Sequence, residues 1–117
     1  VDLVQTVMTR TGVTEEQARQ GLGTIFIALR MAADMVTFTK IASAFPDSGE
    51  WMLVAPFQSG GTGEMLALAT PAAVRRLLAI AGFDEARSAA LCAAVGEALQ
   101  AAAPEAFAVV RKKLPLF

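Results

Sequence analysis

Histidine and tyrosine are absent from the 117 residues, and cysteine and tryptophan occur once each. Without histidine there is no Ser-His or Cys-His dyad, no imidazole general base and no histidine-ligated metal. A single Cys92 excludes an internal disulfide and any cysteine-based metal cage. It lies in the apolar run Ala90-Leu91-Cys92-Ala93-Ala94, where a thiol acts as a small hydrophobe. Charge is also scarce, at 18% of residues with a formal net of −1, so no basic stripe offers a footprint for nucleic acid. The one basic run, Arg111-Lys112-Lys113, falls where a last helical turn is expected and suits the negative end of a helix dipole.

Long hydrophobic runs are missing as well. Mean hydropathy is +0.51, yet the strongest candidate, Gly21 to Phe38, is interrupted by Arg30 and Asp34. No stretch reaches the roughly 18–20 uninterrupted apolar residues of a spanning helix, so no transmembrane segment is expected. No charged n-region and apolar h-region identify a signal peptide.

What the chain has in excess is alanine, which carries the hydrophobic share to 55% and is the best helix former. Strand-like alternation of β-branched residues is scarce. The composition predicts an all-α fold and a length suited to one domain, residues 1–117. An apolar surplus in a small helical domain favours burial against a partner or ligand, and a homo-oligomer is the expected form.

Helix signals are plentiful. Asp2 can cap a short first helix through about Arg10, which Thr11-Gly12 breaks. Thr14-Glu15-Glu16-Gln17 matches a capping box, and Glu15 can pair with Arg19 one turn on. The following run, apolar at Ala18, Leu22, Ile25, Phe26, Leu29 and Ala32, reaches about Ala32 or Ala33. Asp34 caps the next, carrying Met35, Phe38, Ile41, Ala42 and Phe45 and stopping at Pro46-Asp47-Ser48-Gly49. Trp51–Phe57 predicts a brief helix or docked loop, and Glu64–Ala69 a further short helix. Thr70-Pro71 opens a helix carrying Val74, Leu77, Leu78 and Ala81 that Gly82 terminates. Asp84 caps another long helix with Leu91, Ala94, Val95, Ala98 and Leu99, and Pro104 starts the last, with Phe107, Val110 and Leu114. The expected architecture is a compact bundle of about six helices.

Two stretches match. Gly12-Val13-Thr14-Glu15 and Gly82-Phe83-Asp84-Glu85 each open a long run ending at a Phe-Pro or Leu-Pro step, Phe45-Pro46 and Leu114-Pro115. Ala28-Leu29 and Ala98-Leu99 lie equally far from their glycines, and Phe38 and Phe107 equally far from their prolines. A one-residue length difference between 30–37 and 100–106 reconciles the registers. Two similar helix-turn-helix units, about 12–46 and 82–115, are therefore expected, joined by a variable, glycine-containing connector, 47–81. Gly21, Gly23 and Gly96 fall inside the long helices, where each glycine costs about 1 kcal/mol relative to alanine. Close helix approach explains them, with Phe26 of one unit filling the space at Gly96 of the other; the alternative is an exposed Gly96.

Gly12-Val13-Thr14-Glu15-Glu16-Gln17-Ala18, with Gly21 and Gly23 and then Phe38-Thr39-Lys40-Ile41-Ala42-Ser43-Ala44-Phe45-Pro46, resembles the VcgC/VcgE proteins, a bacterial helical family of unknown function. The match covers roughly the first fifty residues, is looser from Gly82 to Leu114, and departs over Trp51–Ile80. The resemblance implies a helical fold and brings no catalytic residues. Many members are exported, so it leaves a periplasmic location beside a cytoplasmic one.

Candidate chemistry is thin. Glu15/Glu16 and Asp84/Glu85 are paired acids, but capping accounts for both pairs; Glu97 and Glu105 are expected on exposed faces. Gly60-Gly61-Thr62-Gly63 fits no phosphate-binding loop, lacking a following lysine and an α/β context. Ser43, Ser48, Ser59 and Ser88 have no histidine to activate them, and a serine–lysine arrangement stays open. No catalytic, cofactor-binding or metal site is expected. Trp51 with Met52, Leu53 and Phe57 is either a plug between the units or a docking surface, since tryptophan and methionine are enriched at binding sites. Phe26, Trp51, Met52, Phe57 and Gly96 are therefore the candidate interaction or apolar-ligand residues. The expected function is a non-enzymatic protein-interaction or structural module that self-associates; the alternative is a carrier holding an apolar small molecule or lipid between the units.

Overall fold

The computed structural model describes residues 3–55 and 71–117. Asp2, Phe57, Gly60–Gly63 and the helix expected at 64–69 lie outside the described residues. Among those described the chain is all-helical, with seven helices and no strand: α1 (Leu3–Thr11), α2 (Glu15–Ala32), α3 (Met35–Ala44), α4 (Ser48–Leu53), α5 (Pro71–Ile80), α6 (Glu85–Ala102) and α7 (Pro104–Lys113).

The boundaries follow local chemistry. Thr14 and Gln17 form the capping box, with the Gln17 amide donating to the Thr14 hydroxyl at 3.1 Å and the Thr14 amide donating to Gln17 Oε1 at 3.0 Å. The Asp34 and Asp84 carboxylates accept the amides of Thr37 and Arg87 at 2.7 and 2.8 Å, satisfying donors that a helix start leaves free. Gly12 and Gly82, with φ of +73° and +96°, turn the chain out of α1 and α5 in a backbone region that favours glycine. Pro104 supplies the first residue of α7.

The seventh helix is α4. Its start at Ser48 falls inside the segment expected to end the preceding helix. The Ser48 amide donates to the Phe45 carbonyl, so Pro46 and Asp47 make a turn that leads directly into a new helix. The expected connector 47–81 is likewise more than a tether. It includes α5, whose Val74 and Leu78 are fully buried and which packs on both α2 and α6.

Helix α2 is the axis of the molecule. Residues 21–29 are all buried, around the whole circumference rather than along one stripe, because α1, α4 and α5 each lie against it. The closest of these is α4: a Cβ on Gly23 would overlap the Trp51 carbonyl oxygen, so glycine is what allows that backbone contact. Gly21 in turn faces the Phe83 ring and Leu91, whose nearest atoms would lie 2.6 and 3.0 Å from an added Cβ. Helix α1 rests mainly on α6, and α3 meets α7.

One core position differs from expectation. Met35, placed by periodicity on the inner face of α3, is 84% exposed. It is the first residue after the Asp34 cap, and the inner face is taken one turn on by Thr37, Phe38 and Ile41.

Candidate functional site

A groove of about 760 Å³ lies between α1, the α3–α4 turn and α6. Leu3 lines one wall, Phe45, Pro46 and Trp51 a second, and Ala94, Ala98, Ala101 and Ala102 of α6 the floor. Alanine makes that floor: it holds the helix without filling the space in front of it. Arg10 of α1 and Glu97 of α6 also line the groove, joined by two parallel hydrogen bonds of 2.7 and 3.0 Å. This fork-to-fork arrangement fixes both side chains. The Arg10 guanidinium holds the Glu97 carboxyl below its ordinary range, and Glu97 raises the Arg10 value in return.

A second surface follows the outer side of α6. One depression of about 490 Å³ lies among Cys92, Ala93, Gly96, Gln100, Phe107 and Phe117. Another, of about 520 Å³, runs toward the start of α6 past Arg75, Phe83, Asp84 and Glu85. The two share Cys92, Ala93 and Phe117. Cys92 is buried at their junction, and loss of solvation pushes its thiol above the ordinary value. A thiol so placed is a poor nucleophile.

The expected interaction residues do not converge on one surface. Phe26 is fully buried, with its ring edge-on to Phe45 at 5.5 Å and to Trp51 at 5.4 Å. Trp51 is 5% exposed and belongs to the same aromatic cluster; it is a core plug whose edge borders the first groove. Met52 is half-buried against the core, and Phe57 lies outside the described residues. The pairing of Phe26 with Gly96 is a correction. The space at Gly96 is met by Phe117 and Phe107, whose atoms would lie 3.4–3.6 Å from an added Cβ, because the chain folds back after α7 and puts Phe117 there. Phe26 is held instead by α4 and the end of α3.

The residues that line the grooves, Arg10, Glu97 and the alanines of α6, were not singled out by sequence as a site. The ion pair joins positions 87 apart, beyond any periodic signal. The clue that was present is that α6 has alanine on nearly every side, which leaves its outer face undefined by polarity.

Two of the serine and acid candidates have partners in the structure. Ser88 Oγ donates to the Phe83 carbonyl at 3.3 Å. Glu105 lies 3.9 Å from Lys40 at an exposed position. Among the described residues no cluster of three or more His, Cys, Asp or Glu side chains is placed to hold a metal ion, and no helix is long and apolar enough to cross a membrane. What the surface offers is apolar contact flanked by one fixed ion pair. Comparison with family models, with curated proteins and with solved structures finds no match to this chain.

Proposed function

We propose that the chain is a non-enzymatic interaction module built from two related helical units, and that it self-associates. Several features support the two-unit reading. α2 and α6 are 18 residues each, α3 and α7 ten each. A glycine of positive φ and an N-cap side chain precede both long helices. The loops differ by one residue, Ala33-Asp34 against Ala103. The units exchange partners: α1 packs on α6, and α5 packs on α2. The VcgC/VcgE-like segment adds a helical family of unknown function and no activity.

The observation that carries self-association is the set of large apolar side chains left outside an otherwise closed core. Leu53 is 86% and Met35 84% exposed; Val36 and Val54, their neighbours in sequence, and Ile80 of α5 are exposed as well. Such side chains cost free energy in water and gain it in an interface. Sedimentation equilibrium at micromolar concentration tests the reading: the chain should exceed monomer mass, and Leu53→Lys with Met35→Lys should shift it toward monomer. A strictly monomeric wild-type chain contradicts it.

A second reading has its own support in the 760 Å³ groove, whose size lies within the usual range for small-molecule sites. In that reading an apolar ligand or lipid occupies the space between α1 and α6. Native mass spectrometry of the purified chain decides: co-purifying lipid favours the carrier, and clean apo protein removes it.

A further inference from the structure

We infer that the end of the molecule formed by the start of α3 and the last turn of α7 docks on an anionic lipid surface, Met35 and Val36 entering it beside lysines that hold the headgroups. Such docking is independent of the two-unit reading and of self-association. It gives the basic run Arg111-Lys112-Lys113 a task besides complementing a helix dipole.

Two interactions set α3 against α7. Lys40 Nζ lies 3.9 Å from Glu105 Oε2. Toward the other end, the Asp34 carboxyl is held below its ordinary range first by the Thr37 amide and also by the charge of Lys113. The helices therefore run antiparallel, and the N-cap of α3 meets the last turn of α7. In that register Val36 and Val109 stand level, each one turn from its own member of the Lys40–Glu105 pair. Both are exposed, and Met35 more so than either.

Charge gathers at the same end. Lys112 and Lys113 are exposed, as are Arg111, over the Phe107 ring at 5.8 Å, and Arg30 in the last turn of α2. The one carboxylate in these turns is Asp34, already engaged as a helix cap. The chain as a whole has a net charge of −1, so the remainder is acidic and the molecule is electrically polarised.

That charge selects the occupant. Apolar side chains flanked by lysine and arginine match an anionic bilayer surface. The apolar tips enter the interface while the basic side chains lay their stems along it and keep their heads at the phosphates. A second copy set symmetrically on this end would instead bring like charges together. Leu53 and Val54 follow Trp51, which meets α2 at Gly23, about 13 Å along the helix from its end. α4 can therefore carry self-association while this end docks.

Co-sedimentation of the intact chain with vesicles is the test. Phosphatidylcholine vesicles with about a third phosphatidylglycerol should pellet the chain, pure phosphatidylcholine vesicles should not, and high salt should release it. Lys112→Gln with Lys113→Gln should weaken binding at least about tenfold. Met35→Ser with Val36→Ser leaves the charge untouched and should weaken it about fivefold, whereas Met35→Trp should strengthen it. All four positions are exposed, so the variants should keep the wild-type thermal melt. Absence of binding to the phosphatidylglycerol vesicles overturns the inference, as does equal binding to both kinds of vesicle or binding that ignores both pairs of substitutions. So does a chain that ignores vesicles but binds polyglutamate through the same lysines, which would make an acidic polypeptide the partner. An oligomer that Met35→Ser with Val36→Ser converts to monomer would make a second copy the occupant, and overturns it too. Self-association without vesicle binding removes the docking and leaves the module reading standing; vesicle binding by a strictly monomeric chain does the reverse.

Discussion

Helices α2 and α6 have the same length, the same kind of N-cap and the same glycine two residues before it, yet one is enclosed and the other is bare along one side. The difference lies in three side chains and a neighbour. α2 carries Phe26, Ile27 and Met31 and receives α4; at the corresponding positions α6 carries Gly96, Glu97 and Ala101 and receives Phe107 of α7 and Phe117 of the chain end at Gly96. Alanine and glycine keep α6 helical or let it be approached, but they do not pull a partner onto it. The asymmetry is therefore written in side-chain volume rather than in secondary structure. It concentrates the core on α2 and the available surface on α6.

The comparison can be broken most forcefully at the element that α6 lacks. Trp51→Ala should cost about 3–5 kcal/mol, the usual loss for a large buried aromatic, because the ring is buried and holds Phe26. Urea unfolding followed by circular dichroism measures it, and a small loss would mean that α4 contributes little to closing α2.

A smaller effect should be shared by both helices. Thr14→Ala and Asp84→Ala each remove a cap and should each cost about 1 kcal/mol in the same unfolding experiment. Thr14→Ala should cost no more than Asp84→Ala, because the bond from the backbone amide of residue 14 to Gln17 Oε1 survives the substitution. A large effect at one cap and none at the other would show that the two starts are not equivalent.

The mildest effect is the acid response of the ion pair between α1 and α6. The Glu97 carboxyl has a lowered pKa in the folded chain. Its contribution is complete above the ordinary carboxylate range and is lost as pH falls through the lowered value. Between about pH 6 and about pH 3, the wild-type urea midpoint should therefore drop more than that of Glu97→Gln. Equal drops would mean that Arg10 and Glu97 do not pair in solution.

Helix ends were legible in the sequence because their chemistry is local. The Thr14 box, the Asp34 and Asp84 caps, Gly12, Gly82 and Pro104 all act within three or four residues, and each falls where expected. The core of α5, Val74 and Leu78, followed from periodicity in the same way. The surroundings of α2 and α6 were not legible. Whether Gly23 is covered depends on where α4 is delivered, and the start of α4 was hidden by Pro46-Asp47-Ser48-Gly49, a run that looks like a stop but holds a turn at Pro46-Asp47 and then the first two residues of the helix. Phe26 and Gly96 were matched by volume, yet each found its complement elsewhere, in Trp51 and in Phe117. Arg10 and Glu97 meet only because α1 crosses onto α6.

The central claim, that α2 is packed more tightly at Gly23 than α6 is at Gly96, is tested most directly by adding one methyl group to each helix and comparing urea unfolding free energies. Gly23→Ala pushes a Cβ into the Trp51 carbonyl and should destabilise the chain by about 2–3 kcal/mol. Gly96→Ala meets only ordinary contacts with Phe117 and Phe107 and should stabilise it by about 0.5–1 kcal/mol through helix propensity. Opposite signs are the predicted result; a tolerated Gly23→Ala, or equal losses at both positions, would contradict the account.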